Sequence, residues 1–121
     1  MTGMNEALAA ALEIDGAIGA AIANWDSGLC LGTAGGGSRL NIDAAAAGSC
    51  QVVKARMLTA VESGATSPIQ EILITLDEQV HLIRPLRRGE RLFLFLAIDT
   101  ATGNLGVARH RLNTLESDLL M

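Results

Sequence analysis

The stretch that decides the fold runs from Ile69 to Asp99 and reads IQEILITLDEQVHLIRPLRRGERLFLFLAID. It holds three apolar runs, residues 69–76, 80–86 and 92–98, separated by short polar segments that suit hairpin connections. The third run alternates leucine and isoleucine with phenylalanine and alanine. Both of its faces are therefore apolar, which predicts a central strand covered on two sides. We predict an antiparallel three-stranded meander.

Pro85 stands at the end of the middle run. Its nitrogen carries no hydrogen, so it donates nothing to a neighbouring strand. The middle strand is predicted to end, bulge or lose a partner there.

Upstream of the meander, the chain predicts a helix over residues 2–13, where apolar residues recur at helical spacing. Residues 17–24 and 29–33 are predicted to form a strand pair, because the intervening NWDSG has turn chemistry. Residues 34–38, AGGGS, are predicted to form a loop.

A long helix is predicted between this loop and the meander. Asn41 or Asp43 is placed to cap its start, and Gly64 follows its expected end at Ser63. The stripe expected to face the sheet consists of Ala46, Cys50, Val53, Met57 and Val61. A second stripe of small, uncharged residues consists of Ala45, Gly48, Val52, Ala55 and Thr59.

The second stripe indicates a second partner, since a surface helix needs only one apolar stripe. A copy of the same helix from another subunit would fit, because homodimers are the commonest oligomers. Two alternatives stay open at this point. Loops of the same chain would also cover the stripe, and alanine is in any case a good helix former.

A last helix is predicted from a cap at Asn104 to Leu120, with one apolar stripe. The element order is then α-β-β-α-β-β-β-α. Two hairpin units around a middle helix predict an α+β fold with a five-stranded antiparallel sheet and helices on its faces.

Composition limits the classes of function. The 121 residues suit one domain spanning residues 1–121, and a net charge of −4 argues against a nucleic-acid partner. No apolar run is long enough to insert into a membrane, and no signal segment is recognised, so we expect a cytoplasmic protein. The two cysteines, Cys30 and Cys50, are expected to be small core residues.

The sequence nominates no catalytic, cofactor-binding or metal-binding residue. The glycines at residues 35–37 lack the lysine of a phosphate-binding loop. His81 and His110 have no ligand partners at metal-site spacing. Neither cysteine has a local base that would make it a nucleophile. We therefore expect a protein that is not an enzyme and has no cofactor.

Four arginines cluster around the second hairpin: Arg84, Arg87, Arg88 and Arg91. Arg87 and Arg88 are candidate contacts for an acidic partner or a phosphate. The favoured alternative is that these arginines keep a hairpin tip soluble and pair with Glu90.

Taken in order, these segments resemble the roadblock, or dynein light chain, superfamily in its bacterial form. The matching pieces are Ile14-Asp15-Gly16-Ala17, Asp26-Ser27-Gly28, Glu71-Ile72-Leu73-Ile74-Thr75, His81-Leu82-Ile83-Arg84-Pro85-Leu86, Leu92 to Asp99, and Asn104-Leu105-Gly106-Val107-Ala108-Arg109. The resemblance covers nearly the whole chain, and its order and spacing carry more weight than any single piece.

The resemblance implies a profilin-like sandwich, with the long helix on one face of the sheet and the terminal helices on the other. It also implies a homodimer, or a heterodimer with a paralogue, formed through the middle helix and the third strand. The interface residues expected on this basis are Ala45, Gly48, Val52, Ala55, Thr59, Glu71 and Leu73.

The function implied by the resemblance is a non-catalytic module that regulates or scaffolds a Ras-like bacterial small GTPase. The alternative is a small-ligand sensor of profilin-like fold, which requires a sizeable internal pocket with convergent polar groups.

Overall fold

A computed structural model describes residues 3–87 and 91–119. Its elements follow the predicted order. They are α1 (Met4–Leu12), β1 (Ala17–Asn24), β2 (Cys30–Gly35), α2 (Ile42–Ser63), β3 (Ile72–Thr75), β4 (Gln79–Pro85), β5 (Leu92–Asp99) and α3 (Leu105–Asp118).

The five strands form one antiparallel sheet in the order β2-β1-β5-β4-β3. The meander β3-β4-β5 is confirmed, and β5 occupies the centre. Pairing of β1 with β5, in which Ala20 lies opposite Leu96, joins the two hairpin units into a continuous sheet. β2 and β3 are its two edges.

The sheet separates two apolar cores, and β5 contributes to both. Leu94 and Leu96 pack with α1 and α3 on one face, while Phe93 and Phe95 pack with α2 on the other. Every residue of the strand except its last, Asp99, is buried. The predicted two-sided central strand is thus confirmed, as is the placement of the helices.

Helix ends follow the predicted side-chain chemistry. The Asn41 side chain, rather than that of Asp43, accepts a hydrogen bond from the Ala44 N–H at 3.0 Å. Gly64 ends α2 in the left-handed region, at φ 78°. The Asn104 side chain caps α3 by accepting from the Val107 N–H, also at 3.0 Å. The polar caps satisfy backbone donors that a helix start leaves unpaired.

Two strand boundaries differ from the prediction. β2 extends to Gly35, opposite Gly19, and the left-handed turn begins only there, with positive φ at residues 35–37. β3 is four residues long and starts at Ile72 rather than Ile69. Its register continues so that Gln70 would lie opposite Pro85, whose nitrogen has no hydrogen to donate. β4 ends at Pro85, as predicted.

The outer end of α2 also differs from the prediction. Val61 was expected to face the sheet, but 79% of its surface is exposed. The helix passes the end of β1 near Cys50, whose Sγ lies 3.6 Å from the Asn24 carbonyl oxygen. Val53 is still buried and Met57 half-buried against the core on this face, whereas most described residues of α2 after Met57 are exposed, so its last turns extend past that core.

Candidate interaction surface

The surface predicted to bind a partner begins with the position of α2 on the sheet. The helix lies closest to β1 and β2 and buries Ala46, Cys50 and Val53 against them. Ile72 and Ile74 of β3 lie on the same face of the sheet and are only half-buried. The β3 side of this face is therefore the less covered side.

The small-residue stripe of α2 lies on the side of the helix that faces β3. Val52 is 40% exposed, and a Cβ built on Gly48 would meet no other atom within 4 Å. Ala55 and Thr59 are exposed, and Ala45 is half-buried. The loop after α2 borders the stripe beside Val52, but in the described part of the chain it leaves the stripe exposed except at Ala45, which is half-buried.

A groove of about 490 Å³ separates this stripe from the sheet. Its floor is formed by Ile74 and His81, and its wall by Ala45, Gly48 and Val52. Small side chains on the wall allow another helix to approach closely, and exposed apolar atoms favour its burial. The spacing of small residues in the sequence identified the wall of this groove. The floor could not be identified in that way, because it depends on the pairing of Ile74 with His81 in neighbouring strands.

β3 borders the groove as an edge strand. It pairs with β4 on one side, and no strand in the described ranges pairs with its other side. Its sequence, ILIT, carries no charge. An uncharged edge presents backbone donors and acceptors that another strand can pair with.

Glu71 and Leu73 were predicted to share an interface with the stripe, but their side chains lie on the opposite face of the sheet. Leu73 pairs with Leu82 of the α1/α3 core and is 37% exposed. Glu71 binds Arg109 of α3, with Oε2 2.6 Å from the arginine Nε. Glu71 nevertheless lines one depression at the β3 edge together with the stripe residue Val52, whereas Leu73 adjoins the stripe through the β3 backbone.

The arginines of the second hairpin have intramolecular partners. Arg84 Nε lies 2.8 Å from Glu116 Oε1, and both side chains are nearly buried. Arg91 pairs with Asp26 at 2.5 Å and lies over the Trp25 ring. These two arginines therefore pair with acids other than Glu90, and the predicted pairing with Glu90 stays a prediction because Glu90 lies outside the described residues.

Of the two candidate partner contacts, Arg88 lies outside the described residues. Arg87 is exposed, and its backbone N–H donates to Glu116 Oε2 at 2.9 Å. It stands at the rim of a second groove, of about 560 Å³, whose apolar lining includes Met57, Pro85 and Leu86. This groove lies under the overhanging part of α2, apart from the first one.

Burial of the titratable side chains in the core disfavours their charged forms and therefore their reactivity. Burial, together with the neighbouring Cys30, raises the pKa of the Cys50 thiol, so its thiolate is disfavoured. Burial lowers the pKa of His81. Across the described ranges, no group of three or more His, Cys, Asp or Glu side chains is placed to hold a metal ion. No helix among the described residues is long and apolar enough to cross a membrane.

Among the described residues, apolar side chains fill the space between the sheet and its helices on both faces. Phe93 and Phe95, both at most 1% exposed, occupy the α2 side. Among the described residues, every buried side-chain nitrogen or oxygen has a hydrogen-bond partner. The two grooves described above are open to solvent. Nothing in this arrangement favours the small-ligand sensor.

Comparison with solved structures shows which fold this is. No family model and no curated protein sequence matches the chain. Myxococcus xanthus MglB matches with a TM-score of 0.78 at 16% identity, over 95% of this chain and 92% of that one. A roadblock/LC7 domain from Streptomyces avermitilis matches with a TM-score of 0.79 at 13% identity, over 97% and 94%. The gliding protein MglB of Thermus thermophilus matches with a TM-score of 0.75 at 20% identity, over 93% and 82%.

Proposed function

Taking as given that the chain has the roadblock/LC7 fold, shared with MglB, we propose that it is a dimeric, non-catalytic module that regulates or scaffolds a Ras-like bacterial small GTPase. The observation that carries the proposal is an uncovered stripe of small residues on α2 beside the uncharged edge of β3. The GTPase is what the sequence resemblance to the roadblock superfamily implies.

In the proposed dimer, a two-fold axis brings the stripe of one subunit onto the stripe of its partner. Such an interface uses the same patch twice and closes on itself. The partner's helix then occupies the groove above Ile74 and His81. The β3 edges pair antiparallel and extend the sheet across both subunits. Burial of Val52 and Ile74 from both copies supplies apolar contact area at the centre.

The seven proposed interface residues contribute in two ways. Ala45, Gly48, Val52, Ala55 and Thr59 contribute through the surface of α2. Glu71 and Leu73 contribute through the backbone of β3, because their side chains are directed to the α3 face. A heterodimer with a paralogue would use the same two elements.

The GTPase is proposed to contact the end of the sheet that the dimer leaves open. Arg87 is exposed there beside an apolar groove, and Arg88 follows it in the sequence. A guanidinium suits a carboxylate or phosphate partner because its fork of donors can form two parallel hydrogen bonds. The module would act by holding the GTPase rather than by donating a reacting group.

The dimer is tested by light scattering on the wild type, Val52→Asp and Val61→Asp. The wild type is expected at twice the 12.6 kDa of one chain. Val52→Asp places a charge in the stripe and is expected to yield monomers, since an unpaired buried charge costs several kcal/mol, roughly 3–5. Val61→Asp makes the same change on an exposed part of the same helix, and is expected to remain a dimer. A monomeric wild type would refute the dimer.

The regulatory role is tested with purified Ras-like GTPases from the source organism, each loaded with GDP or a GTP analogue. Calorimetry is expected to show binding to at least one of them, with a preference for one nucleotide state. Arg87→Glu is expected to weaken binding tenfold or more while leaving the dimer intact, because a rim charge reversed in sign repels its partner. A dimer that binds none of these GTPases in either nucleotide state would refute the proposed regulatory role.

A further inference from the structure

His81 stands out in the floor of the stripe groove, because the other groove-lining residues carry no ionisable side chain. Its ring lies edge-on to Phe95, with centroids 5.2 Å apart. Its Nε2 is hydrogen-bonded to Gln79 Oε1 at 2.8 Å. Since that amide oxygen only accepts, Nε2 carries the proton and Nδ1 is the nitrogen left to titrate.

Within the described part of the chain, Nδ1 makes no hydrogen bond, and the polar groups around it are already engaged. The Ser49 hydroxyl donates to the Ala45 carbonyl at 2.8 Å. The Asn41 side chain caps α2. No contact among the described residues gives an acceptor for a proton added at Nδ1, and water in the open groove is left to solvate the charge.

The elements packed around His81 offer no compensating charge. On β3 it faces Ile74, and on β5 it lies opposite Ala97. The stripe of α2 carries no charged residue, and Arg56, one turn beyond Val52, is itself a cation. The carboxylate closest in register is Asp99, opposite Gln79, and Arg39 Nη2 binds it at 2.6 Å. Asp77 and Glu78 lie in the turn that precedes Gln79 and are exposed.

We propose that His81 makes self-association of this chain pH-dependent: with His81 neutral the two-copy interface closes, and with His81 protonated it opens. The inference rests on the proposed dimer, which places the partner's uncharged stripe over the ring. Closing that interface removes the water that would solvate an imidazolium and brings no acceptor in exchange. Two-fold symmetry makes the effect act twice per dimer.

The direction of the pH dependence follows from the protonation form of His81 that the fold already favours. Burial lowers the pKa of His81 below its ordinary value of 6.5 even in the single chain, and dimer formation would lower it further. Association is therefore at full strength above pH 6.5 and weakens as the pH falls through the depressed pKa values. By reciprocal linkage, raising the protein concentration must lower the pKa of His81.

The test uses the two histidines of the chain as a matched pair. Sedimentation equilibrium would measure the dimer dissociation constant of the full chain at pH 7.5 and 5.5, for wild type, His81→Gln and His110→Gln. His110 is exposed on α3, away from the groove. Wild type and His110→Gln are expected to bind more weakly at pH 5.5 than at pH 7.5, since each histidine contributes up to tenfold per pH unit below its pKa in the monomer. His81→Gln is expected to change less than twofold.

A dimer of wild type whose dissociation constant is the same at both pH values would overturn the role of His81 and leave the dimer standing. Equal pH dependence in His81→Gln would do the same. A wild-type chain that is monomeric at every pH would overturn both the role of His81 and the proposed dimer. Because His81→Gln could disturb folding, the wild type is also followed by NMR. The His81 pKa is expected to fall with increasing protein concentration, and a concentration-independent His81 pKa refutes the proposal.

Discussion

The two faces of the sheet are covered differently. On one face, α1 and α3 lie side by side, and α3 is tied to β4 by Arg84–Glu116 and to the start of β3 by Glu71–Arg109. On the other face, α2 is alone and lies towards β1 and β2. The two-helix face reaches the β3 edge, whereas the one-helix face stops short of it. The less covered part of the one-helix face therefore lies beside the β3 edge, where the proposed dimer would place the partner's α2.

The largest expected effect comes from the core beneath α2. Phe95→Ala removes a buried ring that is only 1% exposed. It is expected to lower the free energy of unfolding by about 3–5 kcal/mol. Leu96→Ala, the neighbouring residue directed to the two-helix face, is expected to cost about 2–5 kcal/mol. Urea denaturation of each variant in a monomeric Val52→Asp background would measure the loss in the free energy of unfolding without a contribution from dimer dissociation. A cost for Phe95→Ala far below that for Leu96→Ala would show that the one-helix face is loosely packed.

The next effect concerns the tie between α3 and β4. Glu116→Ala leaves the Arg84 Nε–H and the Arg87 amide N–H without their acceptor, while Arg84 Nη2 keeps its hydrogen bond to Asn113 Oδ1. We expect a loss of about 1.5–3 kcal/mol, the range for hydrogen bonds to charged groups. Denaturant unfolding of Asp118→Ala, a carboxylate two residues further along the helix, serves as the control, with an expected change within about 0.5 kcal/mol. An equal loss in both variants would mean that helix charge, and not the tie, is responsible.

A smaller effect compares the helix starts on the two faces. Asn41 and Asn104 each accept one backbone N–H at 3.0 Å, for α2 and α3 respectively. Asn41→Ala and Asn104→Ala are each expected to cost about 1 kcal/mol in thermal or denaturant unfolding. The two losses should be similar because the two bonds have the same geometry. A neutral Asn41→Ala beside a costly Asn104→Ala would show that contacts other than the cap hold the start of α2.

Much of this fold could be predicted from the sequence, since local chemistry decides it. The alternation in residues 92–98 identified the central strand, and the residues Asn41 and Gly64 marked the two ends of the long helix. Where elements end in space was harder to predict. Val61 continues the apolar period of α2, but no sequence period shows that the packing of this helix on the sheet ends after Met57.

The candidate site was predicted only in part, for a similar reason. The stripe of small residues is local to one helix and could be recognised from its spacing. His81 is absent from that prediction because its position in the groove depends on pairing between β3 and β4 and on the offset of α2. The face of β3 to which Glu71 is directed likewise follows from strand register, and a shift of one residue would reverse it.

The smallest expected effect therefore tests the side of the sheet on which Glu71 acts. Glu71→Ala removes the pair with Arg109, in which the arginine side chain is 50% exposed and the glutamate 15%. A double-mutant cycle with Arg109→Ala is expected to yield a small favourable coupling in urea unfolding, as for other exposed pairs. The dimer dissociation constant, measured by sedimentation, is expected to change less than threefold, because the proposed interface uses the backbone of this strand and not the Glu71 carboxylate. A tenfold weakening of the dimer without coupling to Arg109 would place the carboxylate against the partner subunit, and would require that the β3 edge turn its other face towards the second copy.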